Sequence, residues 1–148
     1  MMMRGFAAIG LVGPKIEANV GGALRAAHCY GASLILIQAP RFQQRSTNVT
    51  KTEKHIPMLI GEICNHRPYD CPMVAVEIVD GATPLPNFTH PERALYVFGP
   101  EDGSIPSEII RKAQLIVSVP THYCMNLAAT VNVVLYDRMA KGKSYLAH

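Results

Sequence analysis

No Cys-x-x-Cys pair occurs in the chain, and none of its four cysteines, Cys29, Cys64, Cys71 and Cys124, stands at a ligand spacing from a histidine. A tetrahedral zinc site is therefore not expected, and the four read as reduced thiols. No Gly-x-Gly-x-x-Gly follows the first apolar segment and no Gly-x-x-x-x-Gly-Lys-Ser/Thr occurs anywhere. A dinucleotide pyrophosphate or a nucleoside triphosphate thus lacks its usual cradle. No apolar stretch approaches the roughly 20 residues of a membrane-spanning helix. The start, MMMRGFAAIGLVG, carries one Arg and a short apolar run, but Pro14, Lys15 and Glu17 follow with no small-residue cleavage site, so no signal peptide is expected and the cytoplasm is the expected compartment. The triplets Asn48-Val-Thr50 and Asn87-Phe-Thr89 are then chance matches to a glycosylation site. Net charge is small as well: at +3 it permits a polyanionic partner without demanding one. Internal repeats and low-complexity segments are absent.

What is present suffices for one compact domain, 1–148, since 148 residues at 49% hydrophobic content can bury a sizeable core. Phe6 to Val12 is a short apolar run ending at Gly13-Pro14, the mark of a buried strand stopped by a turn. Val20, Ala23, Leu24 and Ala27 then recur at helical spacing, with Asn19 where an N-cap stands and Gly31 as a C-terminal stop. Further strands are expected at Ser33–Ile37, Met73–Val79, Ala94–Phe98 and Leu115–Val119. Helices are expected over Met58–Asn65, Pro106–Ala113 and Asn126–Met139, with a long connection over 81–93. Strands and helices alternate, and runs such as LILI and LIVSV are continuously apolar. The expected class is α/β, a mostly parallel sheet with helices on both faces.

Ligands of open α/β sheets lie beyond the carboxyl ends of the strands. Three loops there carry unusual residues: Asn19, Gly21-Gly22 and Arg25 after the first strand, FGPEDGSIP at 98–106, and VPTHYCMN at 119–126. Tight Gly/Pro loops expose backbone groups able to bind an adenine edge, which suits a cofactor without phosphate, such as S-adenosylmethionine.

Three segments, in order, resemble the three motifs of the SpoU/TrmH branch of the SPOUT methyltransferases: IEANVGGALRAAHCYGAS, YVFGPEDGSIP and VSVPTHYCMNLAATVNVVLYDR. The resemblance covers nearly the whole chain. It implies a C-terminal trefoil knot, a homodimer, and S-adenosylmethionine-dependent methylation of an RNA ribose 2′-hydroxyl. It also places cofactor contacts, mostly through backbone, at Val76 and Glu77, at Phe98, Gly99, Pro100 and Gly103, and at Val119, Pro120, Cys124, Met125 and Leu127. No metal is implied. One departure stands out: relatives commonly carry Ser two residues after Asn126, and here that residue is Ala128. A catalytically silent RNA-binding paralogue of the same fold therefore stays open beside the enzyme.

Four residues are the candidates for catalysis. Arg25 is implied at the acceptor ribose, where a guanidinium fork can hold the neighbouring phosphate; otherwise it is a solvated helix residue. Asn19 and Asn126 can serve the site or cap helices. Glu101 resembles the acid of the second motif that orients polar partners, or is a turn residue. Arg41, Arg45, Lys51 and Lys54, set against the single acid Glu53 in a stretch without apolar periodicity, are either a solvated loop or the RNA-phosphate contact. His55, His66 and His122 read as surface residues. The last helix repeats Leu127, Val131, Val134 and Leu135 on one face, open to a subunit contact or to the core. By the resemblance, transfer RNA comes ahead of ribosomal RNA as substrate, with no separate RNA-binding extension and no membrane partner.

Overall fold

A computed structural model describes residues 5–42 and 55–142. Among these residues seven parallel strands form one sheet in the order β3-β2-β1-β6-β4-β7-β5. The strands are β1 (Phe6–Val12), β2 (Leu34–Gln38), β3 (Met58–Ile60), β4 (Met73–Val76), β5 (Thr83–Pro84), β6 (Arg93–Phe98) and β7 (Leu115–Ser118). The helices are α1 (Glu17–Cys29), α2 (Ile63–His66), α3 (Ser107–Lys112) and α4 (Leu127–Lys141).

Alternate residues of the central strands feed two separate apolar layers, as the two-residue period of a strand requires. Ala7, Ile9 and Leu11 of β1 with Tyr96 and Phe98 of β6 join Val20, Leu24, Val131 and Leu135 of α1 and α4 on one face. Ala8 and Val12 with Leu95 and Val97 meet Ile63 of α2 and Ile109 of α3 on the other. The central strands β1, β2, β4 and β6 are thus covered on both sides, and their middles are apolar for that reason. At Gly10 an added Cβ would stand 2.9 Å from Ile63 Cδ1, so the missing side chain is what seats α2 on the sheet.

Local chemistry corrects several expectations. Met58–Ile60 is a strand, not helix: it pairs in parallel with β2, Ile35 opposite Met58 and Ile37 opposite Ile60. Only Ile63–His66 is helical, and between the two the His66 ring occupies the space where Gly61 would carry a Cβ. The strand expected to reach Val79 ends at Val76, and beyond it the Glu77 carboxylate is taken up by neighbouring N–H groups. The 81–93 connection contains β5, paired with β7, and a 3-10 turn over Leu85–Asn87. Asn19 is not an N-cap. The helix starts at Glu17, and Ile16 in the capping position provides no side-chain hydrogen bond. Gly31 does end α1: at φ +72° it allows the Ala32 N–H to reach back to Ala27 O at 2.9 Å, a Schellman-type closure.

The face of α4 that carries Leu127, Val131, Val134 and Leu135 is buried within the chain, so it is core and not a free subunit contact. Its opposite end is fastened by a polar cluster. His90 bonds Tyr96 Oη and Asp137 at 2.7 Å each, Arg138 donates to the carbonyls of Pro91 and Glu92, and Lys141 donates to those of Leu85 and Phe88.

Helices α1 and α4 touch at small residues. A Cβ on Gly22 would lie 2.7 Å from the Ala128 Cβ, whereas one on Gly21 meets nothing within 4 Å. Two neighbouring substitutions should therefore differ in sign. Gly21→Ala is expected to raise stability by about 0.5–1 kcal/mol, because it restricts the unfolded chain at no steric cost. Gly22→Ala should lower it by about 1–3 kcal/mol, because the helices must move apart. Thermal melts of the two variants check this.

Candidate active site

A cleft opens at the carboxyl ends of β4, β6 and β7. Its lining includes Val76, Glu77, Phe98, Gly99, Pro100, Gly103, Val119, Cys124, Met125 and Leu127, ten of the eleven residues implied as cofactor contacts; Pro120 alone does not line it. Ile78, Glu101, Thr121 and Thr130 complete the lining. Ile78, Thr121 and Thr130 were not among the residues named from the sequence, because the resemblance implied contacts only at particular positions of the motifs and at the end of the central strand. None of the lining residues is Lys, Arg or His, while two are acids, Glu77 and Glu101. Such a cleft favours a cation or an uncharged group over a phosphate.

Glycine shapes one wall. An added Cβ at Gly99 would stand 2.9 Å from Ile105 N and 3.1 Å from Ile105 Cγ1, so the loop folds back on itself only without a side chain there. The fold-back is pinned from the floor, where Ile105 N–H donates to Glu77 Oε1 at 2.9 Å.

Glu101, Asn19 and Asn126 form one directed chain of hydrogen bonds that joins all three motif loops. Asn19 Nδ2 donates to Glu101 Oε2 at 3.1 Å, Asn126 Nδ2 donates to Asn19 Oδ1 at 2.8 Å, and Asn126 Oδ1 accepts from Ala129 N at 3.1 Å. Asn126 is therefore both the cap of α4 and a link to α1. Glu101 also accepts from Lys15 N and Ile16 N, each at 3.0 Å, and so supplies from a distant loop the acceptor that the start of α1 lacks locally. Partial burial pushes the Glu101 carboxyl up, but the bonds from Lys15, Asn19 and Ile16 outweigh it and hold the group ionised below the usual carboxylate range.

Arg25 lies outside the cleft lining. It is exposed on α1 and makes no hydrogen bond or ion pair among the described residues. Arg41 is engaged: Nη2 and Nη1 grip Asp102 at 2.6 and 3.0 Å, and Nη2 and Nε donate to Gly13 O at 2.8 and 3.0 Å. Arg45, Lys51 and Lys54 lie outside the described residues. Ala128 is not in the cleft lining; its methyl group faces Gly22. Among the described residues no three His, Cys, Asp or Glu side chains gather where a metal ion could be held, and no helix is long and apolar enough to cross a membrane.

Comparison with known proteins bears on this arrangement. No curated protein matches the chain. Among solved structures, an rRNA methyltransferase from Sinorhizobium meliloti superposes with a TM-score of 0.81 at 19% identity, over 93% of this chain and 57% of that one. Its AdoMet-bound form gives a TM-score of 0.80. A structure described as giving insights into the 2-OH methylation of C/U34 on tRNA gives 0.79 at 19% identity, covering 95% of this chain and 98% of that one. The TrmH/SpoU tRNA modifying enzyme of A. aeolicus gives 0.78 at 12% identity, over 97% and 82%. This chain thus spans little more than half the length of the S. meliloti protein. The fold shared with these structures is that of the SPOUT methyltransferases, and the SpoU rRNA Methylase family matches residues 7–136. The chain belongs to the SpoU rRNA Methylase family.

Proposed function

We propose that the protein transfers a methyl group from S-adenosylmethionine to the 2′-hydroxyl of an RNA ribose, with transfer RNA ahead of ribosomal RNA as substrate. The observation that carries the cofactor is the chemistry of the cleft. Its floor is apolar at Val76, Phe98 and Leu127, its tight loops at Gly99-Pro100 and Val119 offer backbone groups, and it contains two acids and no base. A sulfonium cation with an adenosine fits that lining, and a phosphate-bearing cofactor does not. Bound there, S-adenosylmethionine supplies an electrophilic methyl group. AdoMet is present in the S. meliloti relative, which supports the same assignment here, and the tRNA-directed structure of nearly equal length supports the substrate.

The chain's own residues do the rest. Glu101, Asn19 and Asn126 hold α1 against the cleft, and Arg25 on α1, unpaired among the described residues, offers its guanidinium to the phosphate beside the target ribose. Arg45, Lys51 and Lys54 are proposed to add affinity through counterion release. We also propose the knot and a homodimer, with Val133 and Tyr136 on the exposed side of α4 offered to a second copy. The silent-paralogue reading has Ala128 as its best support in the sequence; that methyl group faces Gly22 and does not line the cleft.

Calorimetry with S-adenosylmethionine and its demethylated product tests the cofactor, and mass spectrometry of ribose-methylated nucleosides, in RNA from cells with and without the gene, tests the reaction. Folded protein that shows neither binding heat nor stabilisation at millimolar cofactor would overturn the enzymatic reading.

A further inference from the structure

Two adjacent acids of the loop after β6 hold the connection between β1 and α1 from one side. Glu101 takes the N–H groups of Lys15 and Ile16. Asp102 does not line the cleft; it receives the Arg41 fork, with Lys15 Nζ at 3.9 Å. The same guanidinium grips Gly13 O through Nη2 and Nε, and the backbone N–H of Arg41 donates to Pro14 O at 2.9 Å. Gly13 itself has φ +58°, and the position of its missing Cβ is 3.9 Å from both Arg41 Nε and Pro100 Cβ. Three stretches far apart in sequence, at 13–15, at 41 and at 100–103, therefore converge on one side chain.

We propose that Arg41 and Asp102 are positioning residues for the cofactor cleft: their ion pair holds the wall Pro100–Gly103 to the turn after β1, so that cofactor affinity depends on a contact that touches no ligand. The cofactor part rests on the function proposed above. An exposed ion pair ordinarily contributes little, because water screens it and two long side chains lose freedom. Here the bond is bidentate, and the guanidinium is also held by a carbonyl, which removes much of that freedom. Hydrogen bonding to Asp102 raises the Arg41 pKa, and the same bond lowers that of Asp102, as a pair charged on both sides requires. The wall has few other supports. Glu101 holds it on the α1 side, Ile105 N–H on Glu77 holds its far end, and a long bond of 3.4 Å from Gly103 N to Pro100 O closes it. Because most donors of Arg41 are committed, the residue is assigned here to the cleft wall and not to an RNA phosphate.

The test uses the full chain with Arg41→Ala, Asp102→Asn and the double variant. Affinity for S-adenosylhomocysteine is read by calorimetry, amide exchange at Gly103 and Ile105 by hydrogen–deuterium exchange, and RNA binding across a salt series. Each single variant should weaken S-adenosylhomocysteine binding about tenfold, a moderate part of what ångström-scale misplacement costs. The double variant should be no weaker than either single one, and exchange at both amides should quicken while the RNA salt slope stays unchanged. Unaltered affinity with unaltered exchange overturns the proposal, as do fully additive effects. An Arg41→Ala variant that binds the cofactor product normally and loses about one unit of salt slope makes Arg41 a phosphate contact instead. Should the wild-type chain not bind S-adenosylhomocysteine, the proposed function falls, and the amide exchange still decides whether the ion pair fixes the wall.

Discussion

Arg25→Ala and Arg25→Lys are both expected to lose on the order of a hundredfold or more in single-turnover methyl transfer while binding cofactor normally. The guanidinium is exposed and has no hydrogen-bond or ion-pair partner among the described residues, and the residue does not line the cofactor cleft; its removal is therefore expected to disturb neither packing nor cofactor. Six residues separate it from Asn19, about 9 Å along the helix axis at 1.5 Å per residue. Since Asn19 is tied to both Glu101 and Asn126, α1 is held in register with the cleft, and Arg25 projects from a fixed support. A guanidinium is a fixed cation with no acceptor, so in the function proposed above its part would be to hold the phosphate and align the hydroxyl, not to take the proton. Lysine keeps the charge and loses the planar fork. Single-turnover assays with both variants decide: near-normal transfer by Arg25→Lys shows that charge alone suffices, and near-normal transfer by Arg25→Ala places the acceptor site elsewhere.

Gly99→Ala should abolish measurable cofactor binding and lower stability by about 1–3 kcal/mol. The added methyl group would stand 2.9 Å from Ile105 N and 3.2 Å from Ser104 C, and backbone atoms cannot swing aside as a flexible side chain does. The loop must open, which strains the bond from Ile105 N–H to Glu77 and moves the wall that Gly99 and Pro100 form. Calorimetry with S-adenosylhomocysteine together with a thermal melt measures both effects. Cofactor binding near the wild-type level would show that the wall tolerates the shift.

The parallel sheet was legible because its central strands are buried on both faces, and such strands show as unbroken apolar runs, such as LILI in β2; LIVSV across β7 is as apolar, although Leu115 at its start is exposed. Where the signal was short, it misled. Met58–Ile60 has helix-compatible residues, and it became a strand because the edge of β2 was open to pair with it. Asn19 had the right chemistry for a cap and the wrong place, since Glu101, 82 residues away, satisfies the start of α1. The apolar stripe of α4 left core and subunit contact equally open until the sheet was seen to cover it.

The chain by itself determined the α/β class and drew out the three loops, because burial pattern and Gly/Pro punctuation are local properties of neighbouring residues; the ten cleft-lining residues came from the resemblance to the three motifs, not from those patterns. Only the tertiary structure decided what the polar side chains do. Glu101 reaches back to Asn19, Asn126 donates to Asn19, and Arg41 is committed to Asp102 across 61 residues. A hydrogen bond depends on position and direction in space, and sequence separation does not encode which of several possible partners the folded chain brings within reach.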